Sequence, residues 1–165
     1  MDAREVPPRL VRSDAWLLAA LTERPQRRAL TLPELLHDAD WLNRAIPTLD
    51  ELSFGLPRLI AAGFVVVTGA GNDLRLQPTS KAREFGKSIR RKARRLGDVL
   101  EAAESLAGAP PYPVPEDEDR SLNRLPALAE ADVNEAVRAY EAWFGLRARP
   151  FIAASRVLRR VIGRR

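Results

Sequence analysis

Thr48-Leu-Asp-Glu51, Leu56-Pro-Arg-Leu-Ile-Ala-Ala-Gly63, Phe64-Val-Val-Val-Thr68, Gly69-Ala-Gly-Asn-Asp73 and Leu74-Arg-Leu-Gln77 follow one another almost without interruption. Thr48 and Glu51 have the spacing of a capping box, so a helix opens there. Gly63 is the residue type that stops one. The β-branched run after it reads as a strand, the glycine-rich segment as a turn, and 74–77 as the returning strand. Alternation puts Val65 and Val67 on the opposite face from Phe64 and Val66. Upstream, Thr31-Leu-Pro-Glu34 is a second capping box with proline in the first turn, opening a helix that runs to about Trp41. Ala29-Leu30 is a short extended piece. Ser13 caps a first helix with Trp16, Leu17, Ala20 and Leu21 at helical spacing, ending by Arg24-Pro25.

Helix, short strand, helix, helix, two-stranded hairpin is the order of a winged helix-turn-helix. The segments Leu30-Thr-Leu-Pro-Glu-Leu-Leu, Ile46-Pro-Thr-Leu-Asp-Glu-Leu and Leu56-Pro-Arg-Leu-Ile-Ala-Ala-Gly-Phe-Val-Val resemble that superfamily. Leu74-Arg-Leu-Gln-Pro-Thr-Ser-Lys-Ala resembles the end of the wing in PadR-like and MarR-like transcription regulators. The resemblance covers about residues 13–107. It implies a mainly α fold with a small β-hairpin wing, plus long C-terminal helices. The expected organisation is a winged module over 13–79, a long basic helix over 80–107 for packing or dimerisation, and a proline-rich acidic linker over 108–120. An additional helix lies within 121–145 and an arginine-rich tail over 146–165.

Charge is distributed unevenly. The chain carries 27 Lys and Arg against 22 Asp and Glu, for a net +5. Residues 1–80 are near neutral, 81–107 basic and 108–145 acidic, while 146–165 hold seven arginines and no acid. This admits nucleic acid, acidic protein or a membrane surface as partner. With no cysteine, disulfides, thiolate metal sites and thiol nucleophiles are excluded. A single histidine, His37, excludes a multi-histidine metal centre and disfavours a Ser-His-Asp hydrolase. It reads as a polar-face residue beside Asp38 and Asp40. Carboxylate pairs come with no glycine-rich phosphate cradle and no nucleophile-base spacing, so no enzyme, metal or cofactor is expected. No apolar run is long enough to cross a bilayer and the start is not a targeting segment, which leads to the expectation of an unprocessed cytoplasmic protein.

In winged-helix DNA binders the third helix enters the major groove. On a helix from Leu49 to Ala62, Leu49, Leu52, Leu56, Leu59 and Ile60 face the core. The outward stripe is Asp50, Phe54, Pro57 and Ala61, with Ser53 and Arg58 at its edges. The candidate DNA contacts there are Thr48, Ser53 and Arg58, with Arg75 on the wing beside Asp73. Asp50 and Glu51 approach phosphates with the wrong sign, and Pro57 should bend the helix. Phe54 and Pro57 are the candidate docking residues for a protein partner, or else a surface aromatic and a contact within the chain.

From Ser80 to Ala107, capped by Thr79, a stripe of Phe85, Ile89, Ala93, Leu96, Leu100, Ala103 and Ala107 suits packing on the module or on a second copy. Arg83, Lys87, Arg90, Arg91 and Arg94 lie opposite, and from Lys87 to Arg95 there are six cations and no acid. Such a face is a solvated surface or a phosphate-holding one, and the latter carries no sequence information. Lys87, Arg90, Arg91, Arg94 and Arg95 are its candidate contacts. Glu116-Asp-Glu-Asp119 reads as solvated, or as an internal competitor for the basic helix. Val133, Ala136, Val137, Tyr140 and Phe144 share a face of a helix over 131–144 that docks on the first unit and ends at Gly145. In the tail, Phe151, Ala154, Leu158 and Ile162 oppose Arg156, Arg159 and Arg160. That segment suits nucleic acid, a protein groove, an anionic surface or its own protein, and is too short for stable membrane association. The leading expectation is a winged-helix nucleic-acid-binding protein of transcription-regulator type, holding duplex DNA by its backbone and able to dimerise. The alternative is a winged-helix protein-interaction module.

Overall fold

The computed structural model describes residues 9–23, 28–109 and 129–143. The elements are α1 (Arg12–Glu23), β1 (Leu30–Thr31), α2 (Leu32–Asn43), α3 (Leu49–Ala61), β2 (Val65–Thr68), a 3-10 turn (Gly71–Asp73), β3 (Arg75–Pro78), α4 (Ser80–Lys92) and α5 (Asp98–Ala107). A further helix, α6, covers 130–143. The architecture is mainly helical with one small antiparallel sheet of order β1-β3-β2. Thr31 and Thr68 both pair with Arg75, so β3 is the central strand and β1 leads directly into α2.

The local signals act as their chemistry requires. Thr31 and Thr48 each accept the N–H of the glutamate three residues on, while Glu34 and Glu51 accept the N–H of their cap residue, at 2.9 Å and 2.8 Å. α3 ends in a Schellman motif: Gly63, at φ 74°, donates to the Ile60 carbonyl and Phe64 to the Leu59 carbonyl. That turn delivers Phe64 to the start of β2. There Val65 is buried and Val67 half-buried while Val66 is 50% exposed, the expected alternation. Thr79 caps α4 through the Ala82 N–H and donates its hydroxyl to the Gly63 carbonyl. For α1 the cap differs from expectation. The helix begins before Ser13, and the Asp14 carboxylate accepts the Val11 N–H at 2.9 Å.

α1 is the centre of the protein, packed against α2, α3, α4 and α5. Periodicity gave it one apolar stripe, yet every residue from Asp14 to Thr22 is buried. Leu17, Leu18, Leu35, Leu36, Leu52, Leu56 and Leu59 are wholly enclosed, each contributing roughly 2 kcal/mol by area removed from water. Trp16 meets its polar need by donating Nε1–H to the Ala39 carbonyl at 3.0 Å. Two glycines let neighbouring helices close on α1. A Cβ on Gly55 would stand 2.7 Å from Leu17 Cδ1, and one on Gly86 would stand 2.6 Å from Thr22 Cβ. Thr22 fits against Gly86 because its hydroxyl bonds back to the Leu18 carbonyl.

The single helix expected over 80–107 is two helices. α4 stops at Lys92, Ala93 is extended (φ −74°, ψ 123°), and α5 starts at Asp98. The Asp98 carboxylate accepts the backbone N–H of both Arg94 and Arg95, at 3.1 Å and 3.0 Å, and so fixes the bend. An unbroken helix of that length would run about 42 Å, far past the 12-residue α1. The elbow folds the second half back, so that α4 and α5 both pack on α1 and on each other. Leu96, expected in the apolar seam, lies in the elbow and is 42% exposed.

The helix expected over 131–144 is present as α6, with Val133, Ala136 and Tyr140 buried and Val137 half-buried. Phe144, Gly145, Arg24-Pro25, most of the linker and the whole tail lie outside the described residues. No described helix is long and apolar enough to cross a membrane.

Candidate nucleic-acid interface

The outward face of α3 is where a groove reader would stand. The structure removes its main cation. Arg58 is 4% exposed and grips Asp14, itself 0% exposed, through two bonds: Nε–H to Oδ2 at 2.6 Å and Nη2–H to Oδ1 at 2.8 Å. Burial pushes the Asp14 carboxyl up from its ordinary range, against the lowering pull of Arg58 and the Val11 N–H. Ser53 is also buried, at 2%. Both were expected at the edge of the exposed stripe. The helical angle was right, but α1 packs on that flank, admitted by Gly55. Thr48 is exposed with its hydroxyl committed to the cap. Phe54 and Pro57 are half-buried, and Asp50 and Ala61 are the exposed part of the stripe. On the hairpin, Arg75 donates to the Leu74 carbonyl and stands 4.0 Å from Asp73. The α3 surface therefore offers acids and a cap, and few groups able to read a base edge.

The elbow between α4 and α5 is different. Some of its approach is occupied. Arg83 donates to the Pro78 carbonyl at 2.6 Å, Lys87 pairs with Glu84 at 2.6 Å, and Arg90 donates to the Thr22 carbonyl at 2.8 Å. The bond from Lys87, helped by the charges of Arg91 and Arg83, holds Glu84 below its ordinary value. Beyond these, Arg91, Lys92, Arg94 and Arg95 are all exposed. Among the described residues their side chains make no hydrogen bond or ion pair. Arg91 and Lys92 sit in the last turn of α4, where the exposed carbonyl end of the helix favours positive charge. Arg94 and Arg95 lie past that end, with their amides fixed by Asp98. Four cations within five residues thus stand on a backbone held by hydrogen bonds.

Comparison with protein-family models, with curated proteins and with solved structures finds no match. Of the expected contacts, the elbow gathers Arg91, Arg94 and Arg95, adds Lys92, and leaves Lys87 and Arg90 engaged along α4. Arg156, Arg159 and Arg160 lie outside the described residues. Among the described residues no three His, Asp or Glu side chains are grouped to hold a metal ion.

His37 does not simply face solvent. Its Nδ1 is 2.9 Å from Asp38 Oδ1, and its ring meets Trp143 of α6 edge-on at 4.6 Å. Tyr140 donates its hydroxyl to Asp40 in the same joint. Burial, with Asp40 beside it, drives the Tyr140 phenol upward from 10.0. The helical spacing of His37, Asp40 and Tyr140 was visible in sequence; their meeting was not.

Proposed function

We propose that this chain is a winged-helix protein that holds duplex nucleic acid by its phosphates, with little discrimination among sequences. The element order and the β1-β3-β2 sheet support the winged-helix reading. The observation that carries the binding reading is the elbow, with Arg91, Lys92, Arg94 and Arg95 exposed on a fixed backbone and without a side-chain partner among the described residues. Phosphate contacts need cations within reach and give register without sequence information. The inward turn of Arg58 and the acids at the start of α3 argue against major-groove readout. The regulator-type function expected from sequence is thereby narrowed to backbone holding.

Competition between two duplexes of unrelated sequence and equal length, at one salt concentration, tests this reading. Affinities within about threefold are expected, since a single good base contact is worth roughly 1–3 kcal/mol and a larger ratio. A preference of a hundredfold or more would mean that bases are read, and would overturn it.

A further inference from the structure

The sheet has two edges, and they are not alike. β1 is two residues long and passes straight into α2, so its free side is short. β2 forms the other edge. Edge strands of natural sheets are commonly blunted by a charge, a proline, a bulge or a covering element. Phe64-Val-Val-Val-Thr68 carries neither charge nor proline, and its register with β3 runs without a bulge. Among the described residues, no backbone group other than those of β3 hydrogen-bonds Val65, Val66, Val67 or Thr68.

The ladder decides which groups face outward. Thr79 donates its N–H to the Phe64 carbonyl at 3.0 Å, and the same register sets Val66 opposite Gln77 and Thr68 opposite Arg75. Bonded pairs alternate along an antiparallel ladder, so Val66 and Thr68 direct their backbone groups to β3. Val65 lies opposite Pro78, which has no N–H to give, and Val67 opposite Leu76. Those two valines turn their backbone N–H and C=O to the free edge. They stand evenly about Val66, whose side chain is 50% exposed. Other faces suit a second copy less. The apolar seam expected over 80–107 is folded onto α1 by the elbow, and the elbow presents four exposed cations that would repel their like. Residues 1–80, which include β2, are near neutral.

We propose that β2 is the pairing edge for a second copy of this chain, joined antiparallel about a two-fold axis through Val66. Val65 of each copy exchanges backbone bonds with Val67 of the other, and Val66 meets Val66 at the close, non-bonded position. The two sheets become one, of order β1-β3-β2-β2-β3-β1. Such an isologous contact closes on itself, and the two short β1 edges end the sheet. An extended peptide of another protein would find the same backbone groups. What favours a copy is symmetry: the outward groups and the exposed valine are centred on one residue, so they match their own kind without offset. This pairing needs no nucleic acid and stands apart from the binding reading above.

Sedimentation velocity on the full chain without nucleic acid, from about 10 μM to about 1 mM, tests the pairing. A four-residue edge is smaller than a standard interface, so the mean mass should rise from one chain towards two in the upper part of that range. Amide exchange at Val65 and Val67 should slow as concentration rises, while Val66 and Thr68 stay protected throughout. Val66→Lys sets like charges opposite each other across the axis and should weaken association by roughly tenfold or more. Val66→Glu should do the same. The two variants mixed should associate, because opposite charges then meet. Val66→Thr, β-branched and uncharged, should pair as the wild type does. Urea unfolding at low concentration checks that each variant keeps its fold. A wild type that remains one chain at the highest concentration would overturn the second copy. So would a dimer that Val66→Lys leaves intact, or a mixture of Val66→Lys and Val66→Glu that stays monomeric. A rise in mass with exchange at Val65 and Val67 unchanged would place the contact elsewhere and overturn it equally.

Discussion

Arg58→Met leaves the Asp14 carboxylate, 0% exposed, facing a thioether in place of a guanidinium. Removing one partner of a buried ion pair costs about 3–5 kcal/mol. A second route bounds the figure. Asp14 can escape ionisation by taking a proton, which costs about 1.36 kcal/mol for each pH unit above its unfolded value. With that value at 3.8, the ceiling is about 4 kcal/mol at pH 7 and about 1.6 kcal/mol at pH 5. The sign follows from linkage. Burial already raises Asp14 in the folded protein, so the folded form holds the proton more tightly than the unfolded chain. The acid's contribution to stability is full below 3.8 and is lost as pH rises through the raised value. Taking away Arg58 removes two lowering influences and lifts that value further. Denaturant unfolding of the variant should thus show a deficit of up to about 4 kcal/mol at pH 7, lower by whatever the raised wild-type value already costs, that shrinks below about 2 kcal/mol at pH 5. Adding Asp14→Asn, which keeps an oxygen for the Val11 N–H, should recover much of the loss at pH 7. A deficit under about 1 kcal/mol, equal at both pH values, would show that the pair is wet and weak, and Arg58 would again be a candidate contact.

Gly86→Ala should destabilise by about 1–3 kcal/mol, because its methyl would press on Thr22 Cβ at 2.6 Å; denaturant unfolding reads this directly. Thr48→Ala should cost about 1 kcal/mol of stability through its lost cap and leave the salt dependence of duplex binding unchanged, as anisotropy titrations can establish. Raising pH should loosen α6 before the core does. The folded Tyr140 phenol is raised above 10.0, so its contribution is full below 10.0 and lost as pH climbs through the higher folded value. Tyr140→Phe should abolish that dependence in hydrogen exchange over 130–143.

Residues whose role is local were legible in sequence. Thr31, Glu34, Thr48, Glu51, Gly63 and Thr79 act within a few residues of chain, and each does what its type and spacing imply. Arg58 shows the limit. A helical period gives its angle about α3, while its burial depends on α1, 44 residues away in sequence. The available signals were Asp14 at the mouth of an apolar run and Gly55 one turn before Arg58. The elbow escaped detection because the apolar period continues through Ala93 and Leu96. What breaks the helix is a competing bond from Asp98 to two amides, together with the gain from folding α5 onto α1. The joint of His37 and Asp40 with Tyr140 and Trp143 brings together residues about 100 apart in the chain, and neither helix alone announces the other.

In the proposed reading, the elbow holds phosphate. Its most direct test is the slope of log affinity against log salt for a duplex, measured on the wild type and on Arg91→Gln/Lys92→Gln/Arg94→Gln/Arg95→Gln. Each phosphate contact contributes about 0.9 to that slope, so the variant should be shallower by up to about 3.6. Equal slopes in the two proteins, with binding intact, would contradict the account.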